Sequence, residues 1–150
     1  MQRISLFLGA LVLAAHGSAG AASSAYFSEP SLPAMQKVSA ALDSRAYRFD
    51  AARHVYAAYA TRIFKGRLPP LIHAVVVIET TVDASGRAKD VHVVRGPSHA
   101  PDVTRAVVEM IRRASPLPAV SNAIGFKFTE IWLVTKDGRF QLDALTEGQD

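Results

Sequence analysis

The residues able to do chemistry are few and scattered. The chain has no cysteine, which excludes thiol catalysis, disulfides and cysteine metal sites. A hydroxyl nucleophile needs a nearby base, often at a G-x-S-x-G elbow; the nearest approach, Ala84-Ser85-Gly86, reads as a hairpin turn. The five histidines, His16, His54, His73, His92 and His99, show no paired metal spacing such as H-x-x-x-H. His73 and His92 are expected to meet across a hairpin as a solvated pair, because two ring nitrogens without a third ligand make a poor zinc site. Glu79 and Glu130 fall in strands, where a carboxylate pair could serve glycoside hydrolysis. No sugar-stacking cluster surrounds them, aromatic residues being 8% of the chain, so both read as outward-facing polar positions. Phosphate loops of the G-x-G-x-x-G or G-K-[ST] kind are absent. The expectation is a protein without catalytic residues, cofactor or metal.

Composition bounds what could position such residues. With 150 residues, 49% hydrophobic and 20% charged, the chain can build one well-cored domain and lacks the signature of disorder. It opens Met1-Gln2-Arg3, runs apolar from Ile4 to Ala15 and reaches small residues ending Ala19-Gly20-Ala21. This pattern predicts a signal peptide cleaved after Ala21 and hence export to the periplasm. The alternative is an uncleaved anchor, since no charge falls between Ile4 and Ser28; His16 and the glycines weaken it. Without Arg3, 16 Lys+Arg face 13 Asp+Glu, a balance of +3 that reads as an ordinary solvated surface and not a nucleic-acid site.

From Ala22 to about Leu32 the sequence is small, polar and interrupted by Pro30 and Pro33, a short flexible leader. Apolar residues then recur at helical spacing: Met35, Val38, Leu42, Ala46, Phe49, Ala52, Val55, Tyr56 and Tyr59. Asp43-Ser44 and Asp50 can each cap a start, which predicts two helices. Lys65 to Pro70 breaks the pattern. Leu71 to Val82 follows as a half-buried strand with Ile72, Ala74, Val76, Ile78, Thr80 and Val82 on one face and His73, Glu79 and Thr81 on the other. Asp83 to Gly86 turns the chain into a second strand, Arg87 to Arg95, with Ala88, Val91 and Val93 inward. Pro101 opens a helix buried through Val103, Val107, Met110 and Ala114, and Pro116-Leu117-Pro118 stops it. Phe126 to Val134 is a third strand, and Arg139 to Ala144 a short fourth beyond the turn Lys136-Asp137-Gly138. The fold class is α+β: a small, mainly antiparallel sheet of two hairpins with a helix on one face, preceded by N-terminal helices.

In this order the run from about Tyr56 to Leu145 resembles the C-terminal domain of TonB-type energy transducers. The residues carrying the resemblance are Tyr59 ahead of a Pro/Gly-broken loop, the strand Val75 to Asp83, Ser85-Gly86-Arg87 and Val91-His92-Val93-Val94. Arg112-Arg113-Ala114 and Pro116-Leu117-Pro118 before the third strand complete it. The chain then divides into 1–21, signal peptide or anchor; 22–50, leader and helical segment; and 51–145, the TonB C-terminal-like domain.

The resemblance implies a periplasmic domain that adds the N-terminal segment of an outer-membrane TonB-dependent transporter as a strand, taking force from a motor of the ExbB and ExbD kind if the anchor is retained. It implies partner-binding positions at Tyr59, Arg62, Phe126, Phe128, Glu130, Trp132 and Val134, with Phe126 to Val134 as the binding edge. Ala60 stands where the family often has proline after the tyrosine. For Phe128 and Trp132 core packing is the expected side-chain role, because strand addition works mainly through backbone. The fourth strand could itself occupy the binding edge. The alternative function is a soluble periplasmic protein-binding module without motor coupling, and an exposed edge also allows a homodimer.

Overall fold

In the computed structural model, which describes residues 29–31 and 37–149, the chain is α+β, with a four-stranded antiparallel sheet and two α-helices. The signal peptide or anchor, the cleavage after Ala21 and the helical position expected of Met35 lie outside the described residues. Among those residues no helix is long and apolar enough to cross a membrane.

The N-terminal region departs from the expected two helices. A short strand β1, Val38–Ser39, comes first, and one helix α1, Ser44–Ala58, follows. The Asp43 carboxylate caps α1 by accepting the Ala46 amide at 2.8 Å. Asp50 starts no second helix: its carboxylate accepts the Ser39 hydroxyl at 2.6 Å and pairs with Arg53 at 3.0 Å, tying β1 to the middle of α1. The helix therefore runs unbroken through positions 50 and 51. Its buried stripe is Tyr47, Ala51, Ala52, His54, Val55 and Ala58, whereas Val38, Leu42 and Phe49, expected inside, are exposed. Alanines let the helix approach the sheet closely, and Tyr47 fills the space beyond them. The end of the leader is tied down, since Ser31 donates its amide to the Ala58 carbonyl at 2.8 Å and Glu29 pairs with Arg113.

Strand β2, Ala74–Val82, obeys the predicted alternation: Ala74, Val76, Ile78, Thr80 and Val82 are buried. The Asp83 carboxylate organises the turn, accepting the Ser85 amide at 2.9 Å, the Ser85 hydroxyl at 2.6 Å and the Arg87 amide at 3.0 Å. Strand β3, Ala88–Arg95, returns with Ala88, Val91 and Val93 opposite the inward residues Val82, Thr80 and Ile78. Register irregularities between Thr81 and Val82 and between Val77 and Ile78 interrupt this pairing. Helix α2, Pro101–Ala114, buries the expected Val103, Val107, Met110 and Ala114, together with Ala106 and Ile111.

After α2, strand β4, Ala119–Val120, pairs in parallel with β1. Strand β5, Phe126–Val134, then pairs along its whole length with β2, and β6, Phe140–Leu142, pairs with β5. The sheet order is β3-β2-β5-β6. Both helices, not one, cover the inner face, where Ala51, Ala52 and Val55 of α1 and Ile111 of α2 meet Thr80, Phe128 and Trp132. A single helix about 10 Å wide cannot cover four strands spaced near 4.8 Å apart.

Candidate functional site

The five β5 residues expected to bind a partner share the inner face of the sheet. Phe128, Glu130, Trp132 and Val134 are buried and Phe126 is half-buried. The Tyr47 ring lies 5.1 Å from that of Phe126 and 5.4 Å from that of Phe128, edge-on to the latter, while Phe140 lies 4.7 Å from Trp132. These aromatic side chains therefore hold the sheet to α1 and β6, and what β5 offers a partner is main chain.

That main chain is half open. On one side β5 pairs with β2 from Phe126 to Val134; on the other it pairs with β6 only from Trp132 to Val134. From Phe126 to Ile131 the second side has no strand partner among the described residues. Glu130 explains where the pairing stops. Its Oε1 accepts the Ile131 amide at 2.9 Å and the Ala144 amide at 3.3 Å, so the carboxylate stands in for the carbonyl of a neighbouring strand. Arg48 of α1 neutralises it, Nη2 to Oε1 at 2.7 Å and Nε to Oε2 at 3.2 Å, and the same Nη2 reaches Asp143 at 2.7 Å. Glu130 is thus an inward, buried carboxylate and not the outward polar residue its strand position suggested. Because amide directions alternate along an antiparallel strand, the outward Ile131 N–H puts those of Thr129 and Lys127 on the same open side.

The other edges are closed or guarded. Ile63 bridges to Phe140 and the Phe64 amide donates to the Phe140 carbonyl at 2.9 Å, covering β6. Buried Gln141 donates to the Phe64 and Gly66 carbonyls at 3.0 and 2.6 Å and accepts the Thr146 hydroxyl at 2.8 Å. Among the described residues β3 has no outer strand partner, but its two irregularities and its charged Lys89, Asp90 and Arg95 disfavour regular pairing.

Tyr59 and Arg62 lie away from the open stretch. The Tyr59 hydroxyl donates to the Met110 carbonyl at 2.9 Å, joining the end of α1 to α2, and burial pushes the phenol up to about 12. Arg62, also buried, donates Nε and Nη2 to the Gly138 carbonyl at 3.2 and 2.6 Å, at the far end of β5. Sequence reasoning missed Arg48, Tyr47 and Asp143. Their pairings join positions up to 95 apart, and no local spacing signals such a contact.

Two polar clusters complete the survey. Ser39, Asp50 and His54 line one groove, as a hydrolase would require. The Ser39 hydroxyl, however, donates to Asp50, and His54 Nε2 donates to the Ala114 carbonyl at 2.9 Å, so no serine–histidine bond forms. His92 sits opposite Glu79 and not His73, whose ring instead meets that of His99 at 5.6 Å. His73 precedes β2, before the hairpin pairing begins, which separates it from His92.

No family model matches the chain, and no curated protein or solved structure is significantly similar to it.

Proposed function

We propose that this chain is a TonB-like periplasmic protein that binds an extended segment of a partner as an added strand on the open side of β5. The observation carrying this reading is the unpaired stretch Phe126 to Ile131 on a strand otherwise locked into the sheet. The outward N–H groups of Lys127 and Thr129, ahead of the Ile131 amide that Glu130 occupies, make this strand a template for main-chain pairing, and the side chains on either face of the added strand supply selectivity. The partner that the resemblance implies is the N-terminal segment of an outer-membrane TonB-dependent transporter, with motor coupling through ExbB and ExbD if the N-terminal segment remains as an anchor.

β6 does not move aside in this scheme. Trp132, Phe140 and Leu142 are each 1% exposed, so lifting β6 would open the core. The partner is limited to the stretch before Trp132, about six residues and roughly 20 Å at strand spacing.

Titration of isotope-labelled protein with transporter N-terminal peptides, followed by amide shifts, tests the reading. The Lys127 and Thr129 amides shift together and gain protection from hydrogen exchange, while the Ile131 amide, already bonded to Glu130, keeps its protection. If every such peptide leaves the Lys127 and Thr129 amides unmoved, strand addition at β5 is wrong.

A further inference from the structure

At the end of the sheet away from Phe126, a groove of about 400 Å³ lies between the segment entering β2 and the loop joining β3 to α2. Its lining includes His73, Arg95, Ser98 and His99, and no carboxylate. The Arg95 guanidinium has no ion-pair or hydrogen-bond partner among the described residues. The His99 ring is held in place: Nε2 lies 2.8 Å from the His73 carbonyl, which can only accept, so Nε2 carries the proton. The two imidazole rings stand edge to face at 76°. A permanent cation and two oriented imidazoles thus converge on one open groove with no internal counter-charge.

A metal ion fits this set poorly. Among the described residues no three histidine or acidic side chains gather as ligands, and the Arg95 guanidinium repels a cation. An oxyanion fits it well, because a guanidinium matches two phosphate oxygens at once. Apolar residues flank the groove along the chain: Leu71 is 89% exposed and Val94 54% exposed. We infer that this groove binds a phosphate group through Arg95, His73 and His99, the phosphate coming either from free solution or from the headgroup of an anionic phospholipid.

The charged or titratable groups lining the groove are His73 from the segment entering β2, Arg95 from β3 and His99 from the following loop. The nearest acidic group along the chain, Asp102 in the first turn of α2, is not part of that lining.

The test uses the full chain in two arms. Inorganic phosphate is titrated against the side-chain resonances of Arg95, His73 and His99, with sodium chloride at matched ionic strength as control. Separately, the protein is sedimented with phosphatidylglycerol vesicles and with phosphatidylcholine vesicles. Phosphate-specific shifts without vesicle preference support the site with soluble phosphate as source; binding to phosphatidylglycerol alone supports it with the lipid as source. In whichever arm binds, Arg95→Gln weakens binding about fivefold, the scale of one basic contact at an anionic surface. His99→Ala, which removes the ring from the groove, weakens it too. Both variants change exposed side chains, so unchanged thermal unfolding shows that the fold persists. Failure of both arms, or binding indifferent to Arg95→Gln, overturns the inference.

Discussion

The guanidinium of Arg48 is bonded to both carboxylate oxygens of Glu130 across the junction of helix and sheet, at 2.7 and 3.2 Å. The side chain of Glu130 is 7% exposed and that of Arg48 25% exposed. Removing the arginine would leave a buried carboxylate holding two main-chain amides without its counter-charge. Arg48→Met should destabilise by about 3 kcal/mol, the lower end for breaking a buried pair because Arg48 keeps some water. Glu130→Gln, which retains an acceptor, should cost less. Urea denaturation of both variants checks the order, and equal losses would show that the charge is unimportant.

Gly125 sets where the open edge begins. Its φ is +76°, and a Cβ there would lie 1.9 Å from the Val82 carbonyl oxygen. Gly125→Ala therefore meets both left-handed strain and a backbone collision at the last β2–β5 pair, Val82 with Phe126. The loss should exceed the roughly 1–2 kcal/mol expected from the strain alone. Gly66→Ala is the control, since φ is +82° there and nothing lies within 4 Å of the added carbon. Thermal unfolding of the two should separate collision from strain.

Alkaline pH should unfold the protein through its tyrosines. Burial raises the phenols of Tyr47, Tyr56 and Tyr59, the last to about 12. The folded state holds the proton more tightly than the unfolded chain, so this stabilisation is full below about pH 10 and is lost as pH rises through 10 toward 12. The melting temperature should fall over that window, and Tyr59→Phe should fall less steeply than the parent. Phenolate absorbance followed alongside unfolding checks that ionisation and loss of structure coincide.

Proline at position 129 separates fold from binding. The Thr129 amide faces the open side of β5, so Thr129→Pro removes no bond to β2, and an edge position tolerates the ring. The variant should keep its near-native melting temperature while losing strand addition, because the new ring occupies the docking side. Phe128→Pro, on the β2-facing side, should instead break the ladder. Unchanged peptide affinity in Thr129→Pro would place the partner elsewhere.

The sheet was legible because its strands alternate cleanly: Ala74 to Val82 and Phe126 to Val134 show period two, and Asp83 to Gly86 is a recognisable turn. Helix α2 was equally plain, with proline at its start and apolar residues at helical spacing. The N-terminal region was misjudged because Val38, Leu42 and Phe49 mimic a buried stripe while the packed face consists of small alanines around Tyr47. Periodicity detects large apolar side chains, whereas close helix–sheet contact favours small ones. The candidate edge was legible as a strand but not in its extent. Where β6 stops pairing depends on Glu130 reaching Arg48, Ile131 and Ala144, a geometry that only the folded chain contains.

The position of Glu130 also imposes a reading frame on whatever docks beside it. The turn at Gly125 closes one end of the exposed stretch and the Glu130–Asp143 corner closes the other, so an incoming segment cannot slide along β5. Since a slip of one residue exchanges every inward and outward side chain, the two stops fix which alternate residues of the guest meet α1 and which meet water. On the proposed strand addition, discrimination between guests would rest on the phase of their sequence as much as on its composition, so two peptides of identical content offset by one position should bind with different affinities.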